Sequence, residues 1–126
     1  MSDEMDEAAG KENRRDPRFR LNLGVTIRLS CGEFTKGIGV NISIGGIYVE
    51  YGAPADEGTV FDLCFDLTFS QDIKRVFARG KVVRSILIGG KDVYGLAFVF
   101  ESFAKDTELV LEEYIEYRSR TQSDCL

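Results

Sequence analysis

The stretch Val60–Phe69, with the sequence VFDLCFDLTF, alternates apolar and polar residues along its length. The apolar positions are Phe61, Leu63, Phe65, Leu67 and Phe69, and between them lie Asp62, Cys64, Asp66 and Thr68. Because successive side chains of a strand point to opposite faces, this period of two predicts a β-strand with one buried face.

Similar strand patterns lie on both sides of this stretch. They predict further strands over residues 21–30, 34–40, 46–51, 75–88 and 93–100. Gly37, Gly39 and Gly80 fall inside these strands and indicate bulges or bends. Residues 70–72 and 89–92 have turn chemistry, and the second is typical of a hairpin loop.

From Asp106 the apolar spacing changes from two to three or four. Leu111, Tyr114, Ile115 and Arg118 follow a helical period, and Asp106 or Thr107 can cap the N-terminus of the helix. Six strands at hairpin spacing and one terminal helix predict an all-β fold with a C-terminal helix. The expected architecture is a six-stranded antiparallel β-barrel, with the helix covering an open end or an exposed face.

The composition is that of one ordinary soluble domain, with 44% hydrophobic and 29% charged residues in 126 positions. No apolar run is long enough for a membrane span, and the acidic first residues do not resemble a secretory signal. The chain has three scattered cysteines and no histidine, which argues against a metal site and against most forms of catalysis. We therefore expect a cytoplasmic protein that is not an enzyme and has no cofactor or metal.

The charge is unevenly distributed along the chain. Residues 1–13 read as a disordered acidic tail, residues 14–120 as the folded domain and residues 121–126 as a frayed tail. Residues 11–20 are basic, whereas the whole chain has a net charge of −5. This balance favours binding of a small anion over DNA or RNA.

Two short motifs flank the first two predicted strands. The first is Arg14-Arg15-Asp16-Pro17-Arg18, and the second is Asn41-Ile42-Ser43-Ile44-Gly45-Gly46. Arginine can grip guanine O6 and N7, or phosphate oxygens, with two hydrogen bonds. A turn of Asn, Ser and Gly can present N–H groups to a phosphate. The alternative interpretation is a solvated linker and a plain turn, in which Gly supplies a positive φ.

The ordered pair R-x-x-x-R and N-x-S-x-x-G, on this plan of strands, resembles the PilZ domain family. The resemblance covers about residues 12–118 and includes Gly95-Leu96-Ala97-Phe98 in the last strand. It implies a PilZ-like domain that binds the bacterial second messenger cyclic di-GMP. Asn13 precedes the first motif, where an arginine would bear on ligand stoichiometry, so one or two nucleotides per chain are both open.

The resemblance also implies the roles of individual residues. Arg14 and Arg18 would grip guanine edges or phosphates, with Arg15 as an auxiliary contact. Asn41 and Ser43 would hold a guanine or the sugar-phosphate ring, and the glycines Gly45 and Gly46 would allow the ligand to approach closely. The expected mechanism is ordering of the arginine segment on binding, which signals to a protein partner. The alternative is a ligand-independent interaction adaptor.

Overall fold

The computed structural model describes residues 16–90 and 92–125. Six strands are present: β1 (Phe19–Arg28), β2 (Phe34–Ile42), β3 (Gly46–Tyr51), β4 (Val60–Thr68), β5 (Ile73–Ile88) and β6 (Val93–Phe103). One helix, α1, spans Glu108–Cys125. The predicted acidic tail, Arg14 and Arg15 lie outside the described residues.

The strands form a closed barrel in the order β1-β2-β3-β6-β5-β4, and β4 returns to pair with β1. Every neighbouring pair is antiparallel. Closure leaves none of the six strands with an unpaired edge. The predicted six-stranded antiparallel barrel with a C-terminal helix is confirmed.

Strand β4, with its alternating sequence, builds the centre of the core. Leu63, Phe65 and Leu67 of β4 are buried, with 2% or less of their surface exposed. Burying a side chain of this size contributes about 1.5–3 kcal/mol. The Phe61 ring packs edge-on against the Phe98 ring, with centroids 6.2 Å apart. The hydrophobic period in the sequence therefore corresponds directly to the inside of the barrel.

Helix α1 joins the same core through the face that its periodicity predicts. Leu111, Tyr114 and Ile115 are buried, and the Tyr114 ring lies 5.5 Å from the Phe69 ring. Thr107 anchors the start of the helix to β5. Its hydroxyl lies 2.8 Å from the Ala104 carbonyl and accepts a hydrogen bond from the Phe77 N–H at 3.1 Å. Thr107, one of the two predicted cap residues, thus mainly connects the helix to the barrel.

The ends of several elements differ from the sequence-based expectation, most clearly at the start of β1 and at the end of α1. Strand β1 begins at Phe19, two positions before the predicted Leu21, because Phe19 is itself buried and pairs with Ile42. Helix α1 continues to Cys125, through the span that the sequence assigned to a frayed tail. Within the described residues, no helix has the length and apolar character needed to cross a membrane.

Candidate functional site

Residues from both motifs line one small recess on the barrel. Its volume is about 50 Å³, and its motif residues are Arg18, Asn41, Ser43 and Gly46. The remaining lining residues are Ile47, Tyr48, Val83, Ala97, Phe98 and Val99. Segments more than twenty positions apart in the chain therefore meet at one place. Gly45 does not line the recess.

Phe19 fixes the position of Arg18. The Phe19 ring is 5% exposed, and the Arg118 guanidinium of α1 lies 5.3 Å from its centroid. Because Phe19 points into the core, its neighbours Arg18 and Arg20 lie on the outside, and both are exposed. Arg20 pairs in register with Asn41. The anchor thus brings Arg18 and Arg20 beside the second motif.

The second motif combines two strand ends with a tight turn. Asn41 lies in β2 and Gly46 begins β3, so only Ser43, Ile44 and Gly45 belong to the turn. The prediction that Asn41 lies in the turn was wrong, because β2 continues pairing with β1 and β3 through Asn41. No hydrogen bond to the Asn41 side chain is formed within residues 16–90 and 92–125, so its amide is available to a ligand.

Ser43 holds the turn and lines the recess at the same time. Its N–H donates to the Gly46 carbonyl at 2.9 Å, and its Oγ accepts from the Gly45 N–H at 3.2 Å. Only 3% of its surface is exposed. The plain-turn interpretation therefore describes part of what Ser43 does, although its hydroxyl can still donate to a group in the recess.

Gly46 is required by the neighbouring strand rather than by its own backbone conformation. A Cβ atom at Gly46 would overlap the carbonyl oxygen of Phe98, because β6 passes close beside it. A Cβ at Gly45 would meet only Ser43 Oγ, at 4.0 Å. Neither glycine has the positive φ that the plain-turn interpretation assigned to glycine. The backbone of β6 therefore crowds position 46.

A row of residues that was not predicted from the sequence crosses five strands beside the motifs. Arg20 pairs with Asn41, Asn41 with Tyr48, Tyr48 with Ala97, and Ala97 with Arg84. The register shifts between Arg20 and Leu23, Gly39 and Asn41, and Val82 and Arg84. Bulges are enriched beside binding sites, where they redirect side chains. The adjacent apolar pair Val82-Val83, which breaks the alternation of β5, was the available sequence signal.

Arg20 and Arg84 of this row, and Arg18 beside it, are not engaged by carboxylates in the described parts of the chain. None of the ion pairs there involves Arg18, Arg20 or Arg84. Their guanidinium groups are exposed and free to receive an anion or a guanine edge. These three arginines form a local cationic surface, although the chain as a whole has a net charge of −5.

A larger groove lies on the outer surface of β1, β4 and β5. It measures about 660 Å³ and holds no residue of either motif. Its arginines are already paired: Arg79 Nε lies 3.2 Å from Asp62, and Arg75 Nε lies 2.8 Å from Asp66. The hydrogen bond from Arg75 lowers the pKa of Asp66 below its ordinary value. These arginines are less available to an anion than those beside the recess.

Comparisons with known proteins place the fold. The family model described as "PilZ domain" matches residues 12–117. The structure of the Bacillus subtilis inhibitor of motility (MotI/DgrA) superposes with a TM-score of 0.73 at 21% identity, covering 86% of this chain and 52% of that one. No curated protein sequence matched the chain.

Two further solved structures contain cyclic di-GMP. The complex of K. pneumonia MrkH has a TM-score of 0.68 and 19% identity over 90% of this chain and 55% of that one. The PilZ domain of Escherichia coli YcgR has a TM-score of 0.60 and 17% identity, over 90% of this chain and 98% of that one. The chain thus spans about half the length of MotI/DgrA and MrkH, but nearly all of the isolated YcgR domain.

Proposed function

The chain belongs to the PilZ domain family, and we propose that it is a non-catalytic receptor for cyclic di-GMP. The observation that carries this proposal is the meeting of Arg18, Asn41 and Ser43 at one recess. Such groups recognise a guanine nucleotide through charge-assisted bonds from arginine and hydrogen bonds from the amide and hydroxyl. The solved complexes of MrkH and YcgR with cyclic di-GMP support the choice of ligand.

The size of the recess indicates how the ligand is held. Sites that enclose a small molecule usually measure about 300–1,000 Å³, whereas this recess measures about 50 Å³. It can therefore receive only one part of a dinucleotide, and the rest must lie on the surface of the barrel. We propose that Arg14, Arg15 and Arg18 close over that exposed part. We also propose that Gly45 and Gly46, which have no side chains, allow the ligand to approach the turn closely.

Residues near the anchor suggest a route to a protein partner. Phe19 follows Arg18 directly, its ring contacts Arg118, and Arg118 Nη1 donates to the Tyr114 hydroxyl at 2.7 Å. Closure of the arginine segment would thus take place beside α1. We propose that the closed segment and the adjacent helix surface form the region that a downstream protein reads. The moving part is limited to residues before Phe19, because β1 already holds Phe19 and Arg20.

The direct test of this function is a calorimetric titration of the purified chain with cyclic di-GMP. We expect saturable binding that weakens as salt is raised, because the ligand carries two phosphates whose attraction to arginine is screened. GMP serves as the control ligand, since it has the base but lacks the cyclic dinucleotide. Absence of saturable heat with cyclic di-GMP would favour the alternative of a ligand-independent adaptor.

Asn41→Ala and Ser43→Ala should both weaken binding but differ in stability. Asn41→Ala removes an amide with no bond inside the described chain, so the melting temperature should stay near that of the wild type. Ser43→Ala removes the acceptor of the Gly45 N–H, which should lower the free energy of unfolding by about 1 kcal/mol. Titration and thermal melting of both variants check this. Wild-type affinity in both would remove these residues from the site.

Amide hydrogen exchange should report the closure of the arginine segment. We expect exchange at residues 14–16 and 18 to slow when cyclic di-GMP is added, because the positive charges of Arg14, Arg15 and Arg18 repel one another until an anion neutralises them. Pro17 restricts the conformations of the segment and so reduces the entropy lost on closure. The amides of β4, remote from the segment, provide an internal reference. Equal exchange with and without ligand at residues 14–18 would mean that signalling needs another moving part.

A further inference from the structure

Arg84 lies beside the recess although it belongs to neither motif. The bulge between Val82 and Arg84 shifts the register of β5 so that Arg84 pairs with Ala97, a residue that lines the recess. Val83, the extra residue of the bulge, also lines it and is 45% exposed. Arg84 itself is exposed. The bulge therefore turns this part of β5 toward the site.

The surface between the two motifs and Arg84 is apolar. Tyr48 and Ala97 occupy the middle of the row, and Val83 adjoins them in the recess. The Tyr48 side chain extends across Gly95, where an added Cβ would overlap its hydroxyl. Neighbouring strands are about 4.8 Å apart, so Asn41 and Arg84, three strands from each other, are separated by about 14 Å. This surface thus runs from a polar end at Asn41, across an apolar floor, to a cationic end at Arg84.

These three adjoining surfaces match the chemistry of a guanine base. The flat face of a base packs on apolar and aromatic side chains. Its O6 and N7 atoms form a pair of acceptors that the arginine fork binds with two hydrogen bonds. A lysine offers a point charge without that planar geometry. An arginine at the edge of the floor is therefore placed to read the edge of a base lying on it.

We propose that Arg84 is a ligand contact, with its guanidinium bound to O6 and N7 of a guanine that lies on Tyr48, Ala97 and Val83. This inference rests on the proposed binding of cyclic di-GMP. The ligand carries two guanines on one ring, so Arg18 and Asn41 hold one side of it while Arg84 takes the base on the other. Arg84 is free for this role because the described residues give it no carboxylate partner.

Titrations with cyclic di-GMP test this contact on the full chain. Arg84→Ala should weaken binding about tenfold or more, and Arg84→Lys should recover little of the loss. Arg79→Ala is the matched control, because it removes the same charge from the same strand but from the opposite groove. Its affinity should equal that of the wild type. Arg84→Gln, which keeps a long side chain, replaces the alanine variant if that one melts early.

Three outcomes would overturn the inference. An affinity of Arg84→Ala equal to that of Arg79→Ala, with Arg18→Ala impaired, would remove Arg84 from the site and leave the receptor function standing. Full recovery with Arg84→Lys would show that only charge matters, so the guanine contact would be wrong. Absence of wild-type binding would overturn both the receptor function and this contact.

Discussion

Arg18→Ala is expected to abolish or greatly weaken binding of cyclic di-GMP. Hydrogen bonds to a charged group contribute about 1.5–3 kcal/mol, so losing this guanidinium should lower affinity roughly ten- to a hundredfold or more. Arg18 lines the recess together with Asn41 and Ser43, and no carboxylate among the described residues competes for it. The family motif predicts a similar effect for Arg14→Ala.

The control for Arg18→Ala is Arg28→Ala. Arg28 is also exposed but lines the opposite groove, where its guanidinium lies 4.0 Å from Asp62. Both variants lose one positive charge, so a general effect of net charge would appear equally in both. Calorimetry should show impaired binding for Arg18→Ala alone. Undiminished binding in Arg18→Ala and Arg14→Ala would show that these arginines are not the ligand contacts.

Gly46→Ala should destabilise the barrel as well as the site. The new Cβ would overlap the Phe98 carbonyl, and because that atom is backbone, β3 and β6 must move apart at their first pair, Gly46 and Val99. Overpacking of this kind costs about 1–3 kcal/mol, occasionally more, which corresponds to a fall in melting temperature of roughly 3–18 °C. Binding should weaken too, since Phe98 and Val99 line the recess.

Gly45→Ala is the matched control for Gly46→Ala. The two glycines are adjacent, neither has a positive φ, and a Cβ at Gly45 meets nothing closer than Ser43 Oγ at 4.0 Å. Its melting temperature should therefore stay close to that of the wild type. Thermal unfolding followed by circular dichroism compares the two variants. Equal melting of Gly46→Ala and wild type would show that the contact with β6 can relax without cost.

The fold was predictable because apolar and polar residues alternate with a period of two along the strands of the barrel. Leu63, Phe65 and Leu67 alternate with polar residues, and each of them is buried in the core. The helical period of Leu111, Tyr114 and Ile115 likewise marks the face that packs on the barrel. Local patterns of this kind depend only on neighbouring residues. They can therefore be recognised in the sequence without knowing which strands pair.

The site was predictable only in part, because it depends on register between distant strands. The motif named Arg18, Asn41 and Ser43 as candidates, and the structure brings these three residues to one recess. The pairing of Arg84 with Ala97 follows from a bulge in β5, and no local pattern fixes the pairing partner. The reason for glycine at position 46 lies in β6, more than fifty residues later.

We propose that cyclic di-GMP binds across the surface from the second motif to the β5 bulge. Amide chemical shifts measured by NMR during a titration with cyclic di-GMP test both the binding and its location. The largest shifts should occur at Arg18, Asn41, Ser43, Tyr48 and Arg84, while the opposite groove at Thr26, Asp62 and Arg79 should stay unchanged. Shifts confined to that groove, or no shifts at saturating ligand, would contradict the account.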